Sequence, residues 1–233
     1  MAALLGGALG LVLGSLRLPA LLVAAANPAA AAGANIAVSA AAALTAGATH
    51  ARARRVDWRI VAWMTPPSVA AAFAGGYLAH SLPEELLLGA IAAVLAWNGV
   101  QLLLELRTPR QAERPHLAAA LAGALIGLLG GAVGLILGTL RMPALLGSIG
   151  LDAHRAVGTN LAVGFFLGVA GFAGHAVRAD VDWTLLAVCV GATVPAAWAG
   201  ARLTGRLSER ALRRAIGLIL VAVALVIGAE AAV

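Results

Sequence analysis

Long uncharged runs alternate with short polar segments along this chain of 233 residues. A helix needs about 20 apolar residues to cross a bilayer, and most of the runs reach that length. The pattern therefore predicts an all-α, polytopic membrane protein. The runs cover 31–49, 60–79, 86–104, 117–140, 156–174 and 183–201, and two shorter ones begin at Met1 and Ala215.

An unusual motif occurs twice in the chain. The sequence GGALGLVLGSLRLPALL at 6–22 returns as GGAVGLILGTLRMPALL at 130–146, with thirteen of the seventeen positions identical. Further matching pairs follow 125 positions apart, such as Asn35 with Asn160. A match of this length indicates a duplicated membrane unit.

The duplication divides the chain into two homologous repeats of four apolar segments each. We predict a first membrane repeat at 1–106, a polar linker at 107–116 and a second membrane repeat at 117–233. The linker, RTPRQAERPH, contains two prolines and alternating charges, so it can neither continue a helix nor lie in lipid.

The distribution of arginine distinguishes two topologies. If all four segments of each repeat crossed the membrane, the loop arginines would divide eight against six between the two sides. If the first segment of each repeat instead breaks within the membrane and returns, the repeats are inverted and the loop arginines divide thirteen against one. Basic residues concentrate in the cytoplasmic loops of membrane proteins, so the inverted topology is favoured. It places broken segments at 3–27 and 120–151, and full spans at 31–49, 58–79, 86–104, 156–174, 183–203 and 211–229.

Composition narrows the range of partners. The chain is 62% hydrophobic and 11% charged, which is too apolar for a soluble core of this length. Its net charge of +6 would suit a nucleic-acid binder, yet the arginines lie in short loops between apolar runs. We therefore expect a protein of the lipid bilayer with no nucleic-acid partner. The sequence leaves open whether it forms a homo-oligomer.

The duplicated motif points to an anion. A helix that breaks in lipid exposes backbone N–H and C=O groups, which is tolerated only beside protein or a water-filled cavity. Free N–H groups at the start of a half-helix favour an anion, and the two motif arginines add full charges with planar donors. The sequence thus predicts a small anionic substrate at the two breaks. The substrate-binding candidates are Gly14, Ser15, Arg17, Asn35, Gly138, Thr139, Arg141, Thr159 and Asn160.

The substrate-binding candidates can also have purely structural roles, and the sequence does not decide between the two. The arginines can snorkel to an interface, and the glycines can allow close helix packing. Asn35 and Asn160 can line a substrate cavity, or they can cap the helix that they begin and bond to a neighbour. The motif hydroxyls and Thr159 carry the same two alternatives.

His50 and His175 end the next span of each repeat. A proton relay is one role, because histidine titrates near neutral pH, and an interfacial position beside lipid headgroups is the other. The VDW tripeptides that follow predict an aspartate N-cap and an interfacial tryptophan in each repeat. These residues are Asp57, Trp58, Asp182 and Trp183.

The order of a glycine-rich segment with proline, then VGTNLAV, then histidine and VDW, present twice, resembles the TauE/SafE family of sulfite exporters. This group is also called the 4-toluene sulfonate uptake permease family. The resemblance covers nearly the whole chain and implies a bacterial inner-membrane carrier for sulfite, sulfonates or related small organic anions that uses an ion gradient. The usual family motif resembles GIGGG, four further residues and proline. This chain departs from it at Val12, Leu13, Ile136 and Leu137, so the arginines are expected to take over part of anion binding.

Together these features predict a secondary transporter of a small anion that works by alternating access. A non-transporting membrane scaffold or assembly factor is the alternative, although it does not explain polar groups placed twice at a helix break. An enzyme is not expected, because the sequence has no HExxH motif, no clustered Cys and His ligands and no paired carboxylates within the apolar runs. No cofactor or metal is expected either.

Overall fold

A computed structural model of the chain describes residues 2–10, 21, 28–78, 84–104, 113–133, 138–176 and 183–230. Every regular element within these ranges is helical, so the prediction of an all-α protein is confirmed. A π-helical turn, Ala144–Ser148, follows α6 directly. The helices are α1 (Ala2–Leu9), α2 (Pro28–Arg52), α3 (Trp58–Leu78), α4 (Glu84–Leu103), α5 (Pro115–Val133), α6 (Gly138–Pro143), α7 (Ala153–Ala176), α8 (Trp183–Thr204) and α9 (Glu209–Glu230).

The six predicted full spans correspond to α2, α3, α4, α7, α8 and α9. Each predicted end lies within three residues of the observed end. Two helices begin with proline, Pro28 in α2 and Pro115 in α5. Proline is favoured at the first helical position, because its φ is already helical and no N–H is required there.

Two helices in the described part of the chain are long and apolar enough to cross a membrane, judged by length and composition alone. They are Ala153–Ala173 and Trp183–Thr204. A shorter apolar helix covers Pro115–Leu129. The crossings expected of the remaining helices stay predictions.

Neither segment that we predicted to be broken is one continuous described helix. In the first repeat, α1 is followed by Gly10, whose φ of 69° lies in the left-handed region that glycine enters without strain. A side chain at Gly10 would also overlap Val157. In the second repeat, a separate helix begins at Gly138. Arg141 and Pro143 lie inside this helix, α6, and not at an interruption, which corrects the expected position of the break.

The second helices of the two repeats, α2 and α7, pack against each other in antiparallel orientation. Ala40 lies against Gly168, whereas Gly47 lies against Leu161. The residue number therefore rises along one helix as it falls along the other.

The fourth helices, α4 and α9, are related in the same way. Ala92 near the start of α4 lies against Gly228 near the end of α9, and Leu102 near the end of α4 lies against Gly217. Both pairs of counterpart helices thus run in opposite directions.

Two further helix contacts are counterparts of each other in the two repeats. Helix α3 packs on α5, and α8, the counterpart of α3, packs on α1. Glycine allows both contacts, because Gly127 lies against the backbone of Ser68 and Gly200 lies against the backbone of Leu4. The packing of the described helices follows the order of the sequence repeat.

Polar contacts join several helix ends at one end of the bundle. The hydroxyl of Thr159 accepts the N–H of Asp57 at 3.0 Å, which joins α7 to the start of α3. A carboxylate oxygen of Glu209 accepts the N–H of Ala153 at 2.8 Å, which joins the starts of α7 and α9. The first contact joins the two repeats, and the second joins two helices of the second repeat.

Almost all of the described arginines lie at this same end. The stacked rings of Trp63 and His116, 6.0 Å apart, bring the start of α5 there as well. Of the twelve arginines in the described ranges, eleven lie in or beside the helix ends that meet here, and Arg141 is the exception. We refer to this part of the molecule as the arginine-rich end. Its arginines are Arg52, Arg54, Arg55, Arg59, Arg114, Arg155, Arg202, Arg206, Arg210, Arg213 and Arg214.

Candidate functional site

Arg141 on α6 is buried inside the helix bundle, with only 2% of its surface exposed. Its Nε–H donates to Oδ1 of Asn160 at 2.7 Å. Its Nη2 has no hydrogen-bond partner in the structure, and none of the ion pairs among the described residues includes this guanidinium. Arg141 therefore brings a positive charge and free N–H donors into the protein interior, and no carboxylate in the described part of the chain balances them.

Asn160 joins the two segments that we predicted to be broken. Its Nδ2 donates to the carbonyl of Gly10 at 2.6 Å and to the carbonyl of Gly138 at 2.9 Å. Gly10 follows α1 in the first repeat, whereas Gly138 begins α6 in the second. A buried carbonyl without a donor costs roughly 1–3 kcal/mol, so this one amide stabilises backbone from both halves.

The segment that carries Arg141 is held on both sides by apolar packing. Met142 and Leu145 are completely buried next to it. Pro143 ends α6 without an N–H to donate, and the chain then widens into the π-helical turn, which the N–H of Ile149 closes on the carbonyl of Ala144 at 2.9 Å. The backbone around the guanidinium is therefore fixed by local sequence and by burial.

Other predicted site residues lie away from Arg141 or have other partners. Thr159 is buried, but its hydroxyl accepts the N–H of Asp57 and so connects helices. Asn35 is buried on α2, and its Oδ1 has no partner in the structure. Asn35 and Asn160 are each the eighth residue of their helix, so neither is an N-cap, which corrects the capping alternative.

The structure describes only part of the predicted set. Thr139 is buried beside Gly138 at the start of α6. Gly14, Ser15 and Arg17 lie outside the described residues, so the first copy of the motif stays a prediction.

His50 does not lie at the lipid surface, which corrects the interfacial alternative. It is fully buried, its Nε2 lies 3.4 Å from the carbonyl oxygen of Gly7, and Gly158 packs against its Cβ atom. The reason is that α1 and α7 cover the end of α2. A proton relay through His50 stays a prediction, and the side chain of His175 lies outside the described part of α7.

The aspartate of the first VDW tripeptide has the role that we expected, and the interfacial position of the tryptophan stays a prediction. Oδ1 of Asp57 accepts the N–H groups of Arg59 at 3.1 Å and of Ile60 at 3.2 Å, which makes it the N-cap of α3. Trp58 and Trp183 are both largely exposed, as in an interfacial aromatic belt. Asp182 lies outside the described residues.

Sequence reasoning missed a polar cluster at the arginine-rich end. Glu209 accepts the N–H of Ala153 and the Nε–H of Arg213 at 2.7 Å, and it lies 3.3 Å from Nδ1 of His154. The ligand atoms of Asp152, His154 and Glu209 all lie within 4.8 Å of one another. N–H donors of Ala153 and Arg213 already bind the Glu209 carboxylate. The role that we assign to the cluster is therefore to join the starts of α7 and α9. The signal in the sequence is the polar run at 152–155, directly before an apolar helix.

Comparison with known proteins identifies a family and a relative. A model of the family described as Sulfite exporter TauE/SafE matches residues 1–227. The chain is also 25% identical over 211 residues to the protein named Probable membrane transporter protein YjnA of Bacillus subtilis (strain 168), and this match covers 84% of this chain and 83% of that protein. No solved structure matches the chain.

These matches point to a membrane transporter and not to an enzyme. A charged side chain inside such a bundle is expensive and marks a functional position by default, which fits the burial of Arg141. The chain belongs to the TauE/SafE family of sulfite exporters, so the resemblance seen in the sequence is confirmed.

Proposed function

We propose that this protein is a secondary transporter of a small anion, such as sulfite, a sulfonate or a related organic anion, in the bacterial inner membrane. The observation that carries the proposal is the buried guanidinium of Arg141, which has a free Nη2 and no carboxylate partner among the described residues. The family and the name of the Bacillus relative support the transporter class. The substrate is inferred from the chemistry of the site.

The proposed ligand balances the charge of Arg141. A buried charge without a partner is costly, and an anion that enters the site lowers that cost. The guanidinium is planar and its terminal N–H groups suit two oxygen atoms of one oxyanion. Because Asn160 already accepts the Nε–H, the terminal nitrogens are the donors left for a substrate. Gly138 and Thr139 are proposed to line the same site.

The arrangement of the helices supports an inverted repeat. If α2 and α7 both cross the membrane, their antiparallel packing means that counterpart helices cross in opposite directions. The same holds for α4 and α9. Inverted repeats with discontinuous helices are a common plan among secondary transporters. We further propose that the arginine-rich end faces the cytoplasm, as expected for basic residues near membrane spans.

A difference between the two halves supports alternating access. Asn160 uses its amide for three hydrogen bonds, whereas Oδ1 of its counterpart Asn35 has no partner. Two halves with equivalent sequences thus have different local contacts. We propose that the halves exchange such contacts when the site changes the side to which it is open.

Substrate-dependent stabilisation in detergent tests the proposal. Sulfite or methanesulfonate should raise the melting temperature of the wild type, because a ligand that binds only the folded state stabilises it. Arg141→Gln should bind the anion at least about tenfold more weakly, since hydrogen bonds to a charged group contribute roughly 1.5–3 kcal/mol.

Arg114→Gln is the matched control, since it removes one exposed arginine at the start of α5. This variant should respond to the anion as the wild type does. An equal response of Arg141→Gln and wild type would contradict the proposed site. A folded wild-type protein that neither anion stabilises would favour the scaffold alternative.

A further inference from the structure

We propose that the arginine-rich end carries a binding site for the headgroup of an anionic phospholipid, between the end of α2 and the end of α8. The two helix ends lie side by side, since α2 packs on α8 and the guanidinium of Arg55 lies against Gly205. Five arginines belong to these two ends. They are Arg52, Arg54, Arg55, Arg202 and Arg206.

Within the described ranges, none of these five arginines forms an ion pair with a carboxylate. The nearby acidic residues are already engaged elsewhere. Asp57 pairs with Arg155 at 2.7 Å, and Glu209 pairs with Arg213 at 2.7 Å. The site therefore has an excess of positive charge that the carboxylates of the described residues do not balance.

The local backbone lets the guanidinium of Arg55 lie against the turn between Arg202 and Arg206. A Cβ atom at Gly205 would lie 2.8 Å from Nη2 of Arg55, so glycine allows the guanidinium to lie against the turn. The N–H of Gly205 donates to the carbonyl of Arg202 at 3.2 Å, and the N–H of Arg206 donates to the carbonyl of Leu203 at 2.9 Å. These bonds keep Arg202 and Arg206 on one short turn next to Arg55.

The outer face of α8 shows why the ligand is a lipid. Trp198 is 43% exposed, and Cζ of Arg202 lies 3.9 Å from the centroid of its ring. Val188 and Val194 extend the exposed apolar face towards the other end of the helix. Tryptophan and arginine stand together at the level of the headgroups in membrane proteins. A phospholipid thus finds apolar contacts for its chains along α8 and arginines for its phosphate.

Clusters of basic residues beside membrane helices bind anionic headgroups, and each arginine or lysine contributes about 1 kcal/mol to the free energy of binding. A lipid with a net negative charge is therefore preferred over a zwitterionic one. The site is separate from Arg141, and its occupation does not depend on which substrate is transported.

Native mass spectrometry and thermal unfolding of the full chain in detergent test the proposal. The probes are phosphatidylglycerol, phosphatidylcholine and free glycerol phosphate. Phosphatidylglycerol should bind to the wild type and raise its melting temperature more than phosphatidylcholine does. The double variant Arg202→Gln and Arg206→Gln should bind phosphatidylglycerol about thirtyfold more weakly, as expected from the loss of two such contacts.

The matched control is the double variant Arg59→Gln and Arg114→Gln, which removes the same charge from the same end but at α3 and α5. It should keep the preference for phosphatidylglycerol, and Arg202→Lys with Arg206→Lys should keep most of it. Equal binding of the two lipids, or equal loss in both glutamine variants, would overturn the proposal. Stabilisation by free glycerol phosphate to the same extent would also overturn it, because the site would then bind a phosphate anion and not a lipid.

Discussion

Asn160 shows how one side chain can organise the centre of this protein. An amide is both a donor and an acceptor, and here Oδ1 accepts from Arg141 while Nδ2 donates to Gly10 and Gly138. Aspartate lacks the donor, and an apolar residue lacks both. The position of the guanidinium and the junction of the two broken segments thus depend on the same residue.

Replacement of Asn160 by alanine should destabilise the protein far more than the same replacement of Asn35. Asn160→Ala removes the amide donor to the Gly10 and Gly138 carbonyls and the acceptor of the Arg141 Nε–H, which should cost at least about 3 kcal/mol. Asn35→Ala should cost roughly 1 kcal/mol or less, since its Oδ1 has no partner to lose. The free energy of unfolding in detergent measures both. Equal losses would contradict the assigned role of Asn160.

The sequence repeat singled out Arg141 and Asn160 as candidates, but it could not predict their pairing. Asn160 contacts Gly10 across 150 positions of sequence, and such a contact depends on how α1 and α7 pack. The sequence also made Thr159 a substrate-binding candidate, because it precedes Asn160 in the repeated segment. Successive residues of a helix, however, point in different directions. Thr159 therefore reaches the start of α3 instead.

At the scale of helices, the apolar runs predicted the ends well because clear local signals mark them. Pro28 and Pro115 begin helices, and Asp57 caps α3. The break was harder to locate, since Arg141 and Pro143 were expected at the interruption and lie within α6. Pro143 is the last residue of a short helix, so it does not interrupt a longer one. The π-helical turn that follows accommodates the proline.

The close packing of α3 and α5 should depend on Gly127. A Cβ atom there would overlap the backbone of Ser68, and backbone cannot yield as a flexible side chain can. Gly127→Ala should therefore destabilise the protein by about 1–3 kcal/mol, the usual cost of overpacking. Thermal unfolding in detergent measures the effect.

Gly191 on α8 is the matched control, because nothing lies within 4 Å of the Cβ atom that alanine would add there. Gly191→Ala should be neutral or slightly stabilising, since alanine is the better helix former. Equal losses of stability in the two alanine variants would contradict the packing role assigned to Gly127.

At the scale of the whole molecule, the distribution of arginine predicted which helix ends lie together. Eleven described arginines meet at one end although they come from both halves of the chain. The sequence could predict this grouping, because the positive-inside rule acts on loops and needs no tertiary contacts. It could not predict the contact of Asp57 with Thr159, which joins the halves, or that of Glu209 with Ala153, which joins two helices of the second half.

The inverted topology predicts that Ser81 and Ser208 lie on opposite sides of the membrane. Each precedes the fourth helix of its repeat, and inversion places counterpart positions on different sides. Single cysteines at the two positions, in a chain whose native Cys189 has been replaced by serine, should react with a membrane-impermeant reagent from opposite sides. Reaction of both from the same side would rule out the inversion.

The most direct test of an anion transporter with its site at Arg141 is flux into proteoliposomes. We would measure uptake of sulfite and of methanesulfonate, with and without a pH gradient, for the wild type, Arg141→Gln and Thr159→Val. Thr159 is the control because it is buried beside Asn160 on α7 but contacts Asp57. Saturable uptake by the wild type and by Thr159→Val, lost in Arg141→Gln, is the predicted result. Uptake by Arg141→Gln equal to that of the wild type would contradict the site, and no uptake of either anion by folded wild-type protein would contradict the proposed function.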